Sequence, residues 1–432
     1  MEFQRPFLEE AEKYIKQLEK IGRFEEKYHL PPLQEASKLC ESMYSFVQKL
    51  PEIITPLNPE ELLTSEVKRR IASEAAYLEQ RLSGRMYHFD MVTQILNIPQ
   101  EDITSLHPWL KENKEKTLRA IERLFQSRDI EEHELPLRAD IPPIRRQAEE
   151  FATTHIQRYH SILGKLLEGL TKAGSYLRDV HAVPTSNERS YFDPRTKTFA
   201  LAIPQICFLT EDRTLHIRES ELVRLYGHEG MGHALQHIMT ENNHLPCFLK
   251  KSSAATIASE ESLTQFYEGI IFEDLKKSPS TQKKLGIEHK FDEIYQEVKD
   301  TEQLSNYKRK LFQYAIVVLA DKSFGKPDDP ETTRKKIACM NEVAFNPRYG
   351  LSFMEEHRQH FDSQGNLYAD LVSELRYCAQ PVRRSLDIFQ EKGISYENEG
   401  RDLIDATFLR GFWTPIGFVE NARWVAEQNK KC

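Results

Sequence analysis

Between Leu225 and His237 the chain reads Tyr226-Gly227-His228-Glu229-Gly230-Met231-Gly232-His233-Ala234-Leu235-Gln236. Two imidazoles and a carboxylate stand there in a run that otherwise reads as a buried helix. Residues of these types hold metal ions and move protons. The nearest known spacing is H-E-x-x-H, in which both histidines bind zinc and the glutamate is the general base of a hydrolase. Here His233 follows His228 by five residues rather than four. On a regular helix each residue advances about 100°, so a four-residue step returns to within about 40° of its start and a five-residue step misses by about 140°. One π-type turn absorbs the extra residue and returns both rings to one face. Gly230 and Gly232 mark where it should form, because neither carries a Cβ to crowd the turn. Each glycine also costs about 1 kcal/mol against alanine in an ordinary helix. His237, four residues after His233, offers a second pairing without a flanking acid.

A zinc site of this type needs a third protein ligand, commonly an acid on the next helix. Ala258-Ser259-Glu260-Glu261-Ser262-Leu263-Thr264-Gln265-Phe266-Tyr267-Glu268-Gly269 supplies candidates. Glu261 and Glu268 are two helical turns apart and face the same way. One can ligate while the other hydrogen-bonds a ligating histidine from behind. Glu260 competes, but neighbouring acids point about 100° apart, so only one of the two can serve. Leu263, Phe266, Ile270 and Ile271 make the rest of this helix apolar, which turns at least one acid inwards.

Together the two segments resemble the glutamate-zincin metallopeptidases. His233-Ala234-Leu235-Gln236 is similar to the G-H-A-L and G-H-H-L-Q helix endings of carboxypeptidase Taq, thimet oligopeptidase and a bacterial group with H-E-x-x-P-G-H. Glu261-Ser262-x-Thr264-x-x-Tyr267-Glu268 resembles E-S-x-S-x-x-W-E of carboxypeptidase Taq and E-G-W-A-L-Y-x-E of the bacterial group. Arg376-Tyr377-Cys378-Ala379-Gln380-Pro381 resembles the R-Y-x-x-x-P segment of the latter. Dipeptidyl peptidase III shows that an H-E-x-x-x-H zinc helix exists. The likeness covers patches of residues 188–390. The zinc helix is one residue longer than in carboxypeptidase Taq and one shorter than in the bacterial group, and Val382-Arg383 replaces a Gly-Gln. The resemblance implies zinc held by His228, His233 and Glu261, with Glu268 behind a ligating histidine.

The same likeness assigns the chemistry. Zinc polarises the substrate carbonyl and brings the pKa of a water towards about 7, while Glu229 takes the water proton and passes it to the leaving amine. Such acid–base help is worth about 10²–10⁴-fold. Tyr377 is the favoured donor to the oxyanion, with Tyr368, Tyr349, His357 and His360 as alternatives. Arg376, Arg383 and Arg384 are candidates to pair with a substrate carboxylate.

The elements that must position these groups read as mainly helical. Leu8, Ala11, Ile15, Leu18 and Ile21 recur at helical steps; a second helix runs from Leu33 towards Leu50, and a third is capped at Ser65 and stopped at Gly84. Prolines at 136, 142 and 143 make residues 129–147 a hinge, followed by a helix from about Arg145 to Leu177. Ser190–Ile203 alternates around Asp193-Pro194 and predicts a hairpin, with a short strand at Thr214–Ile217. The exposed edge of that strand could hold an extended peptide over the metal. His216 and His244 fall at strand edges or in loops. Phe408, Phe412, Trp413 and Phe418 read as core.

The expected architecture is therefore a two-lobed helical metallopeptidase with a small sheet before the zinc helix and a deep cleft. Residues 1–147 form a helical lobe that walls the cleft, and residues 148–432 the catalytic lobe, as one compact body. With 59 basic against 67 acidic residues in 432, no basic face points to nucleic acid. No apolar run is long enough for a membrane span and no signal peptide is visible, so the cytoplasm is the expected location. Six scattered cysteines without a C-x-x-C pair suit free thiols rather than a zinc ribbon. The expected partner is a short or unfolded peptide. Two rivals are a catalytically silent metal- or peptide-binding protein of the same fold and a di-iron carboxylate oxidase using Glu229, His233, Glu261 and Glu268.

Overall fold

The structure is a computed structural model, and it describes residues 5–18, 33–56, 58–83, 89–126, 142–324, 329–346, 348, 350–352, 367, 374–397 and 400–429. The chain is mainly α. Helices α1 (Arg5–Leu18), α2 (Leu33–Lys49), α3 (Pro59–Ser83), α4 (Phe89–Ile95), α5 (Gln100–Thr104), α6 (Leu106–Gln126) and α7 (Pro142–Leu170) precede the strands. The third helix starts six residues before the expected cap at Ser65. Asn58 accepts the Glu61 N–H at 2.9 Å and Pro59 opens the first turn, an arrangement whose preset φ outcompetes a serine further on. Ser65 lies inside the helix and donates to the Ile53 carbonyl.

The helix expected to reach Leu177 stops at Leu170. Lys172–Asp179 then forms a 3₁₀ segment capped by Thr171. Gly174 lies so near the Leu167 carbonyl that a Cβ there would stand 2.4 Å from it, so the chain folds back on α7 only with glycine at that point. The hinge prolines and the stop at Gly84 fall largely outside the described residues, as do Tyr349, His357, His360 and Tyr368.

Strands β1 (His181–Thr185), β2 (Tyr191–Asp193) and β3 (Thr198–Ala202) form a sheet in the order β1-β3-β2. β2 and β3 are the expected hairpin, antiparallel with Phe192 opposite Phe199. β1 adds in parallel, Val183 opposite Ala200. The alternation ends at Ala202, because Ile203–Ile206 is a short helix, α8, with proline in its first turn. A second ribbon pairs β4 (Cys207–Leu209) with β5 (Leu215–Ile217) and leads into α9 (Glu219–Leu225). A π segment (Tyr226–Ala234), α10 (Leu235–Glu241), α11 (Ile257–Lys276), α12 (Pro279–Leu285), α13 (Phe291–Ala320), α14 (Pro330–Val343) and C-terminal helices Pro381–Glu391, Arg401–Phe408 and Pro415–Asn429 follow.

The largest apolar cluster runs from Ala11, Phe46 and Ile71 through Met231 and Leu263 to Phe408 and Phe418. Polar ties accompany it. Buried Glu66 of α3 accepts from the Thr414 N–H and hydroxyl, both at 2.7 Å, and Arg70 donates to the Phe248, Phe412 and Lys251 carbonyls. A second cluster joins α3–α5 to α13 and to Leu375–Ala379. Phe408, Phe412, Trp413 and Phe418 are core, as their spacing suggested. The five described cysteines are free, and no described helix is long and apolar enough to cross a membrane.

Candidate metal centre

The stretch from Tyr226 to Ala234 is a nine-residue π-helix set between α9 and α10. Its wider turn brings the two histidines to one side. The His228 and His233 rings lie 5.1 Å apart at 75° to one another. Glu261 of α11 joins them, and one donor atom from each of the three side chains lies within 4.8 Å of the others. Donors that must share one ion at about 2.0–2.2 Å can close that spread by side-chain rotation.

The glycines act in a way their spacing did not reveal. A Cβ on Gly227 would sit 2.8 Å from the Tyr267 carbonyl, and one on Gly232 would sit 2.5 Å from Thr264 Cγ2. These two glycines, five residues apart like the histidines, let the π segment press against α11. A Cβ on Gly230 would meet nothing nearer than 3.7 Å, so Gly230 is not required in the role expected of it. The contact with α11 fixes the height of Glu261 opposite the imidazoles. α11 is held in turn by Tyr267, whose hydroxyl donates to buried Asp405 at 2.8 Å. Behind the π segment the Tyr226 hydroxyl meets His160 Nδ1 at 3.2 Å.

Glu268, two turns after Glu261, accepts from His228 Nδ1 at 2.5 Å. That bond commits one ring nitrogen and leaves Nε2 to face Glu261 and His233, the usual arrangement behind a ligating histidine. Arg224 completes the set, 3.0 Å from Glu268 and paired through two nitrogens with Glu221 at 2.8 and 2.6 Å. Burial opposes charge on both members of the histidine–acid pair, but their mutual bond wins. The His228 imidazolium is held above its ordinary value by Glu268, with Glu229 and Glu261 adding to it. Glu268 is held below the usual carboxylate value by His228 and Arg224.

Glu229 differs. It is only 5% exposed, and its Oε2 is buried without a hydrogen-bond partner. Burial pushes its carboxyl up to about 7, with Glu261 and Glu268 reinforcing the shift and His228 opposing it. A carboxylate kept without a partner in a dry site is costly to the fold and well suited to exchanging a proton near neutrality.

Glu260 is not a competitor, since it turns back to accept from Ser252 and Thr256. His237 packs between Phe192 and Phe412, outside the triad. His216 stacks on Phe208 in the β4–β5 ribbon. The expected strand edge is also reassigned. β2, rather than β5, packs on the π segment, while β5 gives Ile217 to the cleft wall.

Tyr377 stands close by. Its hydroxyl accepts from Arg376 at 3.0 Å, and Arg376 approaches Glu261 to 3.8 Å. Burial raises the phenol, and the nearby Glu261 charge adds to that. The three arginines expected to meet a carboxylate separate. Arg376 turns to Tyr377 and Glu261, Arg384 pairs with Asp102 at 2.8 Å, and Arg383 alone faces open space, exposed and lining the cleft.

That cleft measures 2020 Å³, well above the roughly 300–1,000 Å³ of ordinary small-molecule pockets. Arg224, Glu268 and Tyr377 line it beside the triad, and Trp109 and Leu124 of α6 bring N-terminal helix to its wall. Two further contributors were missed by sequence reasoning. Arg224 had a signal, standing four residues before His228 and hence on its face of the helix. Arg309, stacked 4.4 Å over the Tyr377 ring, had none.

No family model matches this chain, and neither a curated protein nor a solved structure matches it.

Proposed function

We propose that this chain is a zinc-dependent peptidase acting on short or unfolded peptides, as the likeness to the glutamate-zincins implies. One observation carries the reading: a π segment, rare in proteins and frequent at functional sites, brings His228, His233 and Glu261 together beside a partnerless buried acid, Glu229. Two imidazoles and a carboxylate are a donor set that suits zinc with a position left open. In that place zinc would polarise an amide carbonyl and favour hydroxide over water near neutral pH.

The protein's own groups have distinct parts. Glu268 holds the His228 ring in one tautomer and orientation, and Arg224 keeps Glu268 ionised. Glu229 accepts a proton at its free oxygen and returns it to the leaving amine. Tyr377 offers a hydroxyl to the developing oxyanion, and Arg376 beside it favours negative charge there. The cleft admits an extended chain but no folded domain.

The test is metal analysis of the purified protein together with turnover of a peptide library, repeated with Glu229→Gln. Bound zinc, hydrolysis, and a loss of about 10²–10⁴-fold in the variant are expected. Absence of zinc, or full activity in Glu229→Gln, would overturn the reading. Tight zinc with no turnover of any peptide would favour the silent binding protein.

A further inference from the structure

Two cleft residues take no part in the chemistry above. Arg309 and Lys310 are neighbours in α13, and both line the cleft together with Arg383 of helix Pro381–Glu391. Lys310 lies 5.1 Å over the Trp109 ring, and Arg309 lies over the Tyr377 ring. Arg383 touches only the Gln380 amide oxygen, at 3.5 Å. None of the three forms an ion pair with a described residue. The nearest acid, Asp102, is already taken up by Arg384 at 2.8 Å and by the Gln380 N–H at 3.1 Å.

Three cations on one partly dry wall repel one another, and that is unfavourable unless an anion joins them. The Lys310 ammonium registers the strain: burial depresses it, Arg383 and Arg309 add to the effect, and Cys378 and Asp102 only partly oppose it. Everywhere else around the cleft the cations are matched. Lys290 pairs with Glu219 at 2.6 Å, and Arg224 with Glu221 and Glu268. The unmatched group also has a defined place relative to the triad, because Tyr377 stands between Arg309 at 4.4 Å and Arg376 at 4.9 Å, and Arg376 reaches Glu261.

We propose that Arg309, Lys310 and Arg383 form a carboxylate-binding subsite on the cleft wall beside Tyr377, filled by the terminal carboxylate of a peptide or by an acidic side chain. Two guanidinium forks and one ammonium suit the two oxygens of a carboxylate. The placement of the scissile bond next to this subsite rests on the peptidase reading, but the subsite itself does not.

One peptide sequence in three forms tests it: with a free C-terminus and neutral side chains, the same with a C-terminal amide, and the amide with one internal glutamate. Affinity is measured on Glu229→Gln protein supplied with zinc, and kcat/KM on the unaltered chain. Peptides carrying a carboxylate are expected to bind about 10–100-fold more tightly than the neutral amide. Lys310→Met and Arg383→Gln should each remove most of that preference and leave the neutral amide unchanged. Arg383 is exposed, so its variant guards against misfolding at the more buried Lys310. Preference for the free terminus alone identifies the terminal carboxylate as the ligand, and equal preference for internal glutamate identifies the side chain. Equal affinity across the panel, a preference that survives both variants, or no binding at all would overturn the subsite. If all three peptides are cleaved alike, the subsite fails and the peptidase stands. If the carboxylate preference appears in binding but nothing is cleaved, the peptidase fails and the subsite stands.

Discussion

The three glycines of the π segment allow one chemical change to be made three times with different outcomes. Gly232→Ala would place a methyl 2.5 Å from Thr264 Cγ2 and 2.8 Å from Thr264 Cα. The second contact is backbone-linked, so rotating the threonine does not relieve it. Restoring an ordinary 3.4 Å separation moves the two helices apart by about 0.9 Å, whereas metal ligands tolerate only about 0.2 Å. Overpacking costs about 1–3 kcal/mol, offset by about 1 kcal/mol from replacing a helical glycine, leaving a net loss of about 0–2 kcal/mol. The stability change is small, but zinc affinity should fall at least about tenfold, the scale seen when a metal site loses its supporting contacts. Gly227→Ala, against the Tyr267 carbonyl at 2.8 Å, should behave alike. Gly230→Ala, with nothing nearer than 3.7 Å, should keep the metal and stabilise the fold by about 0.5–1 kcal/mol. Zinc competition titrations and denaturant unfolding of the three variants decide it. Parental zinc affinity in Gly232→Ala, or its loss in Gly230→Ala, would refute the claim that contact with α11 sets the ligand geometry.

Glu268→Ala frees the His228 ring and should weaken zinc binding about 10–100-fold, read by the same titration. Removing Glu66 strands the Thr414 N–H in the core, so Glu66→Ala should cost about 2–3 kcal/mol in denaturant unfolding. The Arg123–Asp300 pair joins α6 to α13 at 2.5 and 2.8 Å, and the arginine holds Asp300 below its ordinary 3.8. A depressed carboxylate stabilises the fold above its unfolded value, and the contribution is lost as pH falls through the folded value. Asp300→Asn should therefore melt earlier than the parent at pH 7, by up to about 1 kcal/mol since Arg123 is half exposed. The difference should shrink below pH 3.8, and a gap that persists in acid would exclude the ion pair as its cause.

Much of the helical scaffold is legible from periodicity. The hairpin at Tyr191–Ala202, the helix from Leu33 to Lys49 and the aromatic core near the C-terminus follow from local patterns. What escaped was competition between local signals and long-range contact. Asn58-Pro59 outcompeted Ser65 as a helix start, and the close approach of Gly174 to Leu167 cut a helix that looked continuous. Strands β1 and β4 carry little alternation of their own and exist because β3 and β5 pair with them.

For the candidate site the division falls elsewhere. The sequence by itself determined that His228 and His233 need a widened turn to share a face, because five residues do not fit a helix of 3.6 residues per turn. It also set Glu261 and Glu268 on one side of their own helix, since both constraints are local and follow from bond geometry. Only the tertiary structure decided which helix faces lie against each other. The glycine contact between the π segment and α11 put Glu261 opposite the imidazoles and Glu268 behind one of them. The fold also brought Arg309 and Lys310 to Arg383, more than seventy residues on, a gathering of like charges that no local rule favours and that only packing of distant helices can impose.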